Sequence, residues 1–123
     1  MDKVLIIDDW WDGPVIGLAT YNGVICIYIR IFNIPIDEYG DEYFLTPIDD
    51  AEVEMIMGQW NEWCVACSKN DLDSFHKKYL NNHSIDQVLE TSSEKNKYRK
   101  KAIFTGSVGE GWIPVDYRVE WYD

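Results

Sequence analysis

The 123-residue chain carries 22 Asp and Glu against 11 Lys and Arg, a formal net charge of −11 that repels nucleic acid and anionic membranes and attracts basic partners. With 46% hydrophobic residues, six tryptophans and no linker, repeat or low-complexity tract, it has the content of a single domain over residues 1–123 whose core needs no staples. No apolar run approaches the ~20 residues of a membrane span, the short N-terminal run lacks signal-peptide form, and three cysteines, an odd number, point to reduced thiols in the cytosol.

Lys3–Asp8 reads as a first, internal strand, and Asp9-Trp10-Trp11-Asp12-Gly13-Pro14 as a loop ending in a breaker pair. Val15–Tyr21 and Val24–Asn33 flank Asn22-Gly23, whose preference for positive φ suits a two-residue type I′ turn, so a β-hairpin is expected. In its second arm Ile25, Ile27, Ile29 and Ile31 share one face, expected to be core. Val24, Cys26, Tyr28, Arg30 and Phe32 share a mixed face, expected to be partly covered or used.

Pro35–Asp41 reads as an acidic, turn-rich loop and Glu42–Thr46 as a short strand. Thr46-Pro47-Ile48-Asp49 has the form of a helix start, with a capping hydroxyl, proline at the first helical position and acids in the first turn. Val53, Ile56, Trp60, Cys64 and Cys67 keep helical spacing beyond it. A second helix is expected over about Asp71–Leu80, and a third from Ser84, where Ser84-Ile85-Asp86-Gln87 has capping-box form.

Lys95, Lys97, Arg99, Lys100 and Lys101 form a basic cluster, and strands Ala102–Ser107 and Ile113–Trp121 follow across a glycine-rich turn. In the last, Val115, Tyr117, Val119 and Trp121 alternate with Asp116, Arg118 and Glu120, the pattern of a sheet with one wet face. Strands, then helices, then strands predict an α+β fold. Its sheet is mainly antiparallel, of about five or six strands, with helices packed on one face.

Trp63-Cys64-Val65-Ala66-Cys67 has the WCxxC pattern of thiol–disulfide oxidoreductases. That chemistry needs the first cysteine at a helix N-terminus, where the dipole lowers the thiol pKa. Here the motif falls near the C-terminal end of the expected helix and on its apolar stripe, so reduced, buried, inert thiols are the better reading. Cys64, Cys67, His76 and His83 lack zinc-finger spacing, because the two histidines are seven residues apart. Gly106-Ser107-Val108-Gly109-Glu110-Gly111 precedes a strand and carries an acid, which suits a hairpin connection and not a phosphate loop. The acidic loops lack calcium-loop spacing, and no nucleophile, base and orienting group line up as a hydrolase triad. No metal or cofactor is expected. Arg30, the only base between Lys3 and Lys69, sits mid-strand among apolar neighbours and is expected to pair with a carboxylate of the acidic loops.

The charge is unevenly divided: residues 1–63 hold thirteen acids against Lys3 and Arg30, whereas residues 64–123 hold nine of each sign. Asp12-Gly13-Pro14-x-x-Gly17-x-Ala19-x-Tyr21-x-Gly23, then Tyr43-x-Leu45-Thr46-Pro47 and Gln59-Trp60-x-x-Trp63, fall in the same first half. This pattern, over about residues 8–63, resembles small acidic bacterial proteins of uncharacterised function and has the general look of immunity proteins, which neutralise a cognate toxin. The resemblance implies a bacterial cytosolic protein. The expected working surface is Asp8, Asp9, Trp10, Trp11, Asp12, Asp37, Glu38, Asp41 and Glu42, acids interleaved with tryptophans, and the expected partner is a basic protein such as a toxin. The alternative is a small enzyme or ligand-binding protein that uses the acidic-loop carboxylates or the Cys64/Cys67 pair.

Overall fold

Asn22 and Gly23 take φ values of 50° and 81°, and the strands on either side pair from Tyr21↔Val24 through Ile16↔Ile29. The hairpin is as its turn residues dictate. It is one corner of a larger object. In the computed structural model, which describes residues 1–73, 84–92 and 98–123, the chain forms two compact units, residues 1–47 with 96–123, and residues 48–95.

The first unit contains six strands: β1 Asp2–Trp10, β2 Pro14–Tyr21, β3 Val24–Asn33, β4 Glu38–Pro47, β5 Tyr98–Val108 and β6 Pro114–Tyr122. Each runs antiparallel to the next, and β6 returns to β1, so the sheet closes into a barrel in sequence order. The expected mainly antiparallel sheet is present, but it is closed into a barrel, which is not the layered α+β packing expected. Closure removes the free edges that an open sheet must protect.

Closure also extends the reading of β3, because both of its faces hold buried residues. Cys26 and Tyr28, on the mixed face, have no solvent exposure and join Val4, Ile7, Ala19, Tyr43, Leu45 and Val119 in one buried cluster. Residues from five strands meet there, so this face is the barrel interior. Ile27 and its cross-strand partner Leu18 on the opposite face are equally buried. Tyr28 fixes the wall: its hydroxyl donates to the Ile6 carbonyl at 2.9 Å. Gly17 makes room for that bond, since a Cβ there would lie 1.9 Å from the Ile6 oxygen and 2.6 Å from the Tyr28 hydroxyl.

Two strands are longer than expected. β4 begins at Glu38, and β5 begins at Tyr98, so Arg99, Lys100 and Lys101 of the basic cluster are strand residues. They pair across to Phe44, Tyr43 and Glu42. The Arg99 guanidinium meets the Glu42 carboxylate at 2.5 Å, an opposite-charge pair of the kind that favours cross-strand register. By contrast, the ladder between β1 and β6 consists of two register pairs, Asp2↔Val119 and Lys3↔Arg118.

In the second unit, α1 spans Asp50–Ser68 and α2 spans Ser84–Ser92. The cap of α1 is Asp49, not Thr46: its carboxylate accepts from the Glu52 backbone N–H at 2.8 Å while the Glu52 side chain accepts from the Asp49 N–H at 3.1 Å. A reciprocal box of this kind satisfies two end donors, and Thr46 and Pro47 remain in β4. Ile56 in α1 and Ile85 and Val88 in α2 are buried. Trp60 and Trp63 stack on one another, centroids 4.9 Å apart. The helix expected over Asp71–Leu80 falls for the most part outside the described residues, as do His76, His83, Lys95 and Lys97. Among the described residues no helix is long and apolar enough to cross a membrane.

Candidate functional site

In an antiparallel meander alternate connections lie at the same end. The β1–β2, β3–β4 and β5–β6 connections, residues 11–13, 34–37 and 109–113, therefore share one end of the barrel. Each contains a non-glycine residue in the left-handed region: Asp12 at φ 49°, Asp37 at 53° and Trp112 at 60°. Asp tolerates that conformation, but a bulky aromatic seldom adopts it, and such backbone concentrates at functional sites.

Arg30 ties the β1–β2 loop to the start of β4. Its Nε donates to the Gly40 carbonyl at 2.6 Å, and its Nη1 donates to the carbonyls of Trp11 and Asp12 at 2.8 and 3.2 Å. The guanidinium also lies over the Tyr39 ring, 5.5 Å from its centroid. The expected carboxylate partner is thus replaced by three backbone carbonyls. Loop carbonyls without a ladder partner need a donor, and the fork geometry of a guanidinium serves three at once.

The tryptophan pair divides. Trp10 turns inward, stacking on Trp112 with centroids 4.4 Å apart and planes 3° from parallel, and lies 6.4 Å from the Tyr117 ring. Trp11 is 69% exposed. At the same end of the barrel Ile34 is 80% exposed and Ile36 58%, in the short 3-10 turn Ile34–Ile36, and Trp112 is 49% exposed. Trp112 was not among the expected site residues. Its signal was the tryptophan directly after Gly109-Glu110-Gly111, in a turn read for its glycines and its acid.

The acids are placed unequally. Asp12, Asp37, Glu38 and Asp41 are exposed on the loops or the strand ends that carry them. Asp8 and Asp9 are exposed toward the end of β1, where the Asp9 carboxylate accepts from the Trp10 backbone N–H at 2.9 Å. Glu42 stands apart. Its hydrogen bond to Arg99 holds its carboxyl below the usual value, and it belongs to the β4–β5 register.

Beneath the loop end a cavity of about 300 Å³ opens into the barrel, walled by Trp10, Tyr43, Phe104 and Tyr117, with Asp12, Arg30 and Asp41 at its charged part. Phe104 and Tyr117 stack at 5.5 Å, and the Tyr43 hydroxyl donates to the Pro14 carbonyl at 2.5 Å. Burial raises the pKa of the Tyr43 and Tyr117 phenols, so both are neutral donors at ordinary pH. Phe104 and Tyr117 were not expected at a site, because each reads in sequence as one more apolar step of an alternating strand. A second groove, about 520 Å³, runs along Ile31–Pro35, Asp41, Glu42 and Arg99.

The Cys64/Cys67 pair lies in the last turns of α1. Both thiols are free and half-buried, which corrects the expectation of full burial. Burial, then the neighbouring Cys67, raises the Cys64 thiol pKa, opposite to what a nucleophilic cysteine needs. Among the described residues no three His, Cys, Asp or Glu side chains converge as a metal set. Comparison of the chain with protein-family models, curated proteins and solved structures returns no match.

Proposed function

We propose that the loop end of the barrel docks a basic protein, and that the chain acts as an acidic binding module of the immunity or inhibitor type. One observation carries this reading. Trp11, Ile34, Ile36 and Trp112 are exposed at the same end of the barrel, and Asp12, Asp37, Glu38, Asp41 and Glu110 are exposed on the loops and strand ends of that end. Exposed aromatic and aliphatic groups with a charged rim are the composition of a contact surface with hot-spot anchors. The rim's sign, with a net charge of −11, selects a basic partner and steers its approach.

The test is affinity capture from the source cells with the native chain and with Trp11→Ala as paired baits. A basic protein retained by the first and lost from the second is expected. Its association rate falls several-fold between low and physiological salt. Recovery of an acidic partner, or equal recovery by both baits, refutes the reading. A second reading, a small-ligand protein, draws on the 300 Å³ cavity, which is at the lower end of ligand-pocket volumes. Nothing comparable favours the Cys64/Cys67 pair.

A further inference from the structure

We infer that the cavity beneath the loop end receives one cationic side chain, a guanidinium or ammonium group, from the docked partner. The inference rests on the protein-docking reading and names the chemistry of its anchor.

Charge decides which ligand the cavity takes. Asp12 and Asp41 present two carboxylates, and neither has an ion pair or side-chain hydrogen bond among the described residues. Arg30 supplies one positive charge, with its Nε and Nη1 donors already held by the carbonyls of Gly40, Trp11 and Asp12. An anion would meet two carboxylates, and the Tyr43 hydroxyl that could have donated to it is committed to Pro14. A neutral apolar group would strip water from the carboxylates and give nothing back. A cation gains both carboxylates as counter-charges and an aromatic lining of Trp10, Tyr43, Phe104 and Tyr117, whose rings carry negative potential on the faces not already stacked on Trp112 or on one another. The volume, about 300 Å³, suits one long side chain and excludes a folded element.

The experiment uses the full chain and a small probe. N-acetyl-arginine amide is titrated while the Trp10 indole N–H is followed by NMR, with the citrulline analogue as neutral isostere and N-acetyl-glutamate amide as anion. Saturable binding of the arginine probe near the millimolar range is expected from its size, with the citrulline analogue about tenfold weaker because it lacks the charge-assisted bonds. Asp41→Asn, at an exposed position that leaves the fold intact, weakens the arginine probe several-fold, whereas Asp50→Asn in the first turn of α1 does not. Equal binding of arginine and citrulline probes, stronger binding of the glutamate probe, no saturation at all, or indifference to Asp41→Asn each overturns the inference. The two readings fail separately. A partner captured equally well by the native chain and by Asp41→Asn sinks the cavity alone, and a cavity that binds the arginine probe while no partner needs Trp11 sinks the docking reading alone.

Discussion

The two ends of the barrel are built from similar residues to opposite effect. At the end holding the Asn22-Gly23 turn, polar groups find one another. The Asp2 carboxylate accepts from the Thr20 hydroxyl at 2.9 Å and from the Gly23 N–H at 3.4 Å, and the Trp121 indole donates to the Thr20 carbonyl at 2.9 Å. Lys100 pairs with Asp123 and lies over the Tyr21 ring. At the loop end, Trp11, Ile34 and Ile36 face solvent, and Asp12, Asp37 and Asp41 have no ion pair among the described residues. Self-satisfied groups add stability and recognise nothing; groups left over can recognise something else. Trp121 at the first end is a structural strut, whereas Trp11 at the second faces solvent.

The largest effect belongs to the wall that both ends share. Gly17→Ala forces a methyl against the Ile6 carbonyl, 1.9 Å from where its Cβ would stand, and against the Tyr28 hydroxyl. A loss of about 3 kcal/mol or more is expected by chemical denaturation. A loss under about 1 kcal/mol would show that the wall gives way and is not the rigid element separating the ends.

Alkali should attack the interior before either end. Burial, then Asp2, raises the Cys26 thiol pKa from 9.0 to about 11, and burial raises the Tyr28 phenol well above its usual value. Raised values favour the neutral form in the folded state, so this stability is complete below the ordinary thiol pKa and drains away as pH climbs from about 9 through about 11. The urea midpoint should fall over that window. A flat midpoint would contradict the burial of these groups.

The comparison itself is sharpened by two tryptophan variants. Trp11→Ala should cost about 2 kcal/mol of partner binding and change folding stability by under about 0.5 kcal/mol. Trp121→Phe, which removes the indole bond to Thr20, should do the reverse, costing about 1 kcal/mol of stability and leaving binding untouched. If Trp11→Ala destabilises the fold as much as Trp121→Phe does, the two ends are not different in kind.

What was legible in the sequence was local. Asn22-Gly23 announced its hairpin because two residues set the backbone twist, and the alternation of β6 announced Val119 in and Asp116 and Glu120 out. Closure was not legible, because whether β6 meets β1 or leaves an edge is settled by the curvature of all six strands together. With Tyr28 and Ile27 both buried, β3 has no wet face to betray direction, and hydrophobicity alone did not tell which of its two buried faces lines the interior. Trp10, Trp11 and the acids could be picked out as a candidate surface because of their composition. Arg30's partners were not, since backbone carbonyls have no letter in a sequence, and neither was Trp112, whose place beside Trp10 exists only once the barrel has closed.

The short ladder between β1 and β6 gives the barrel a line along which it can part. Every other neighbouring pair of strands is joined by four or more register pairs, this one by two. Toward the loop end, Trp10 of β1 stacks on Trp112, just ahead of β6, and lies beside Tyr117 of β6, a clasp of side chains. Such a clasp can release without global unfolding, so amides along this edge of β1 and β6 should exchange with deuterium at a lower opening free energy than those of the β2–β3 hairpin. The same breathing would widen the aromatic cavity from its Trp10 side.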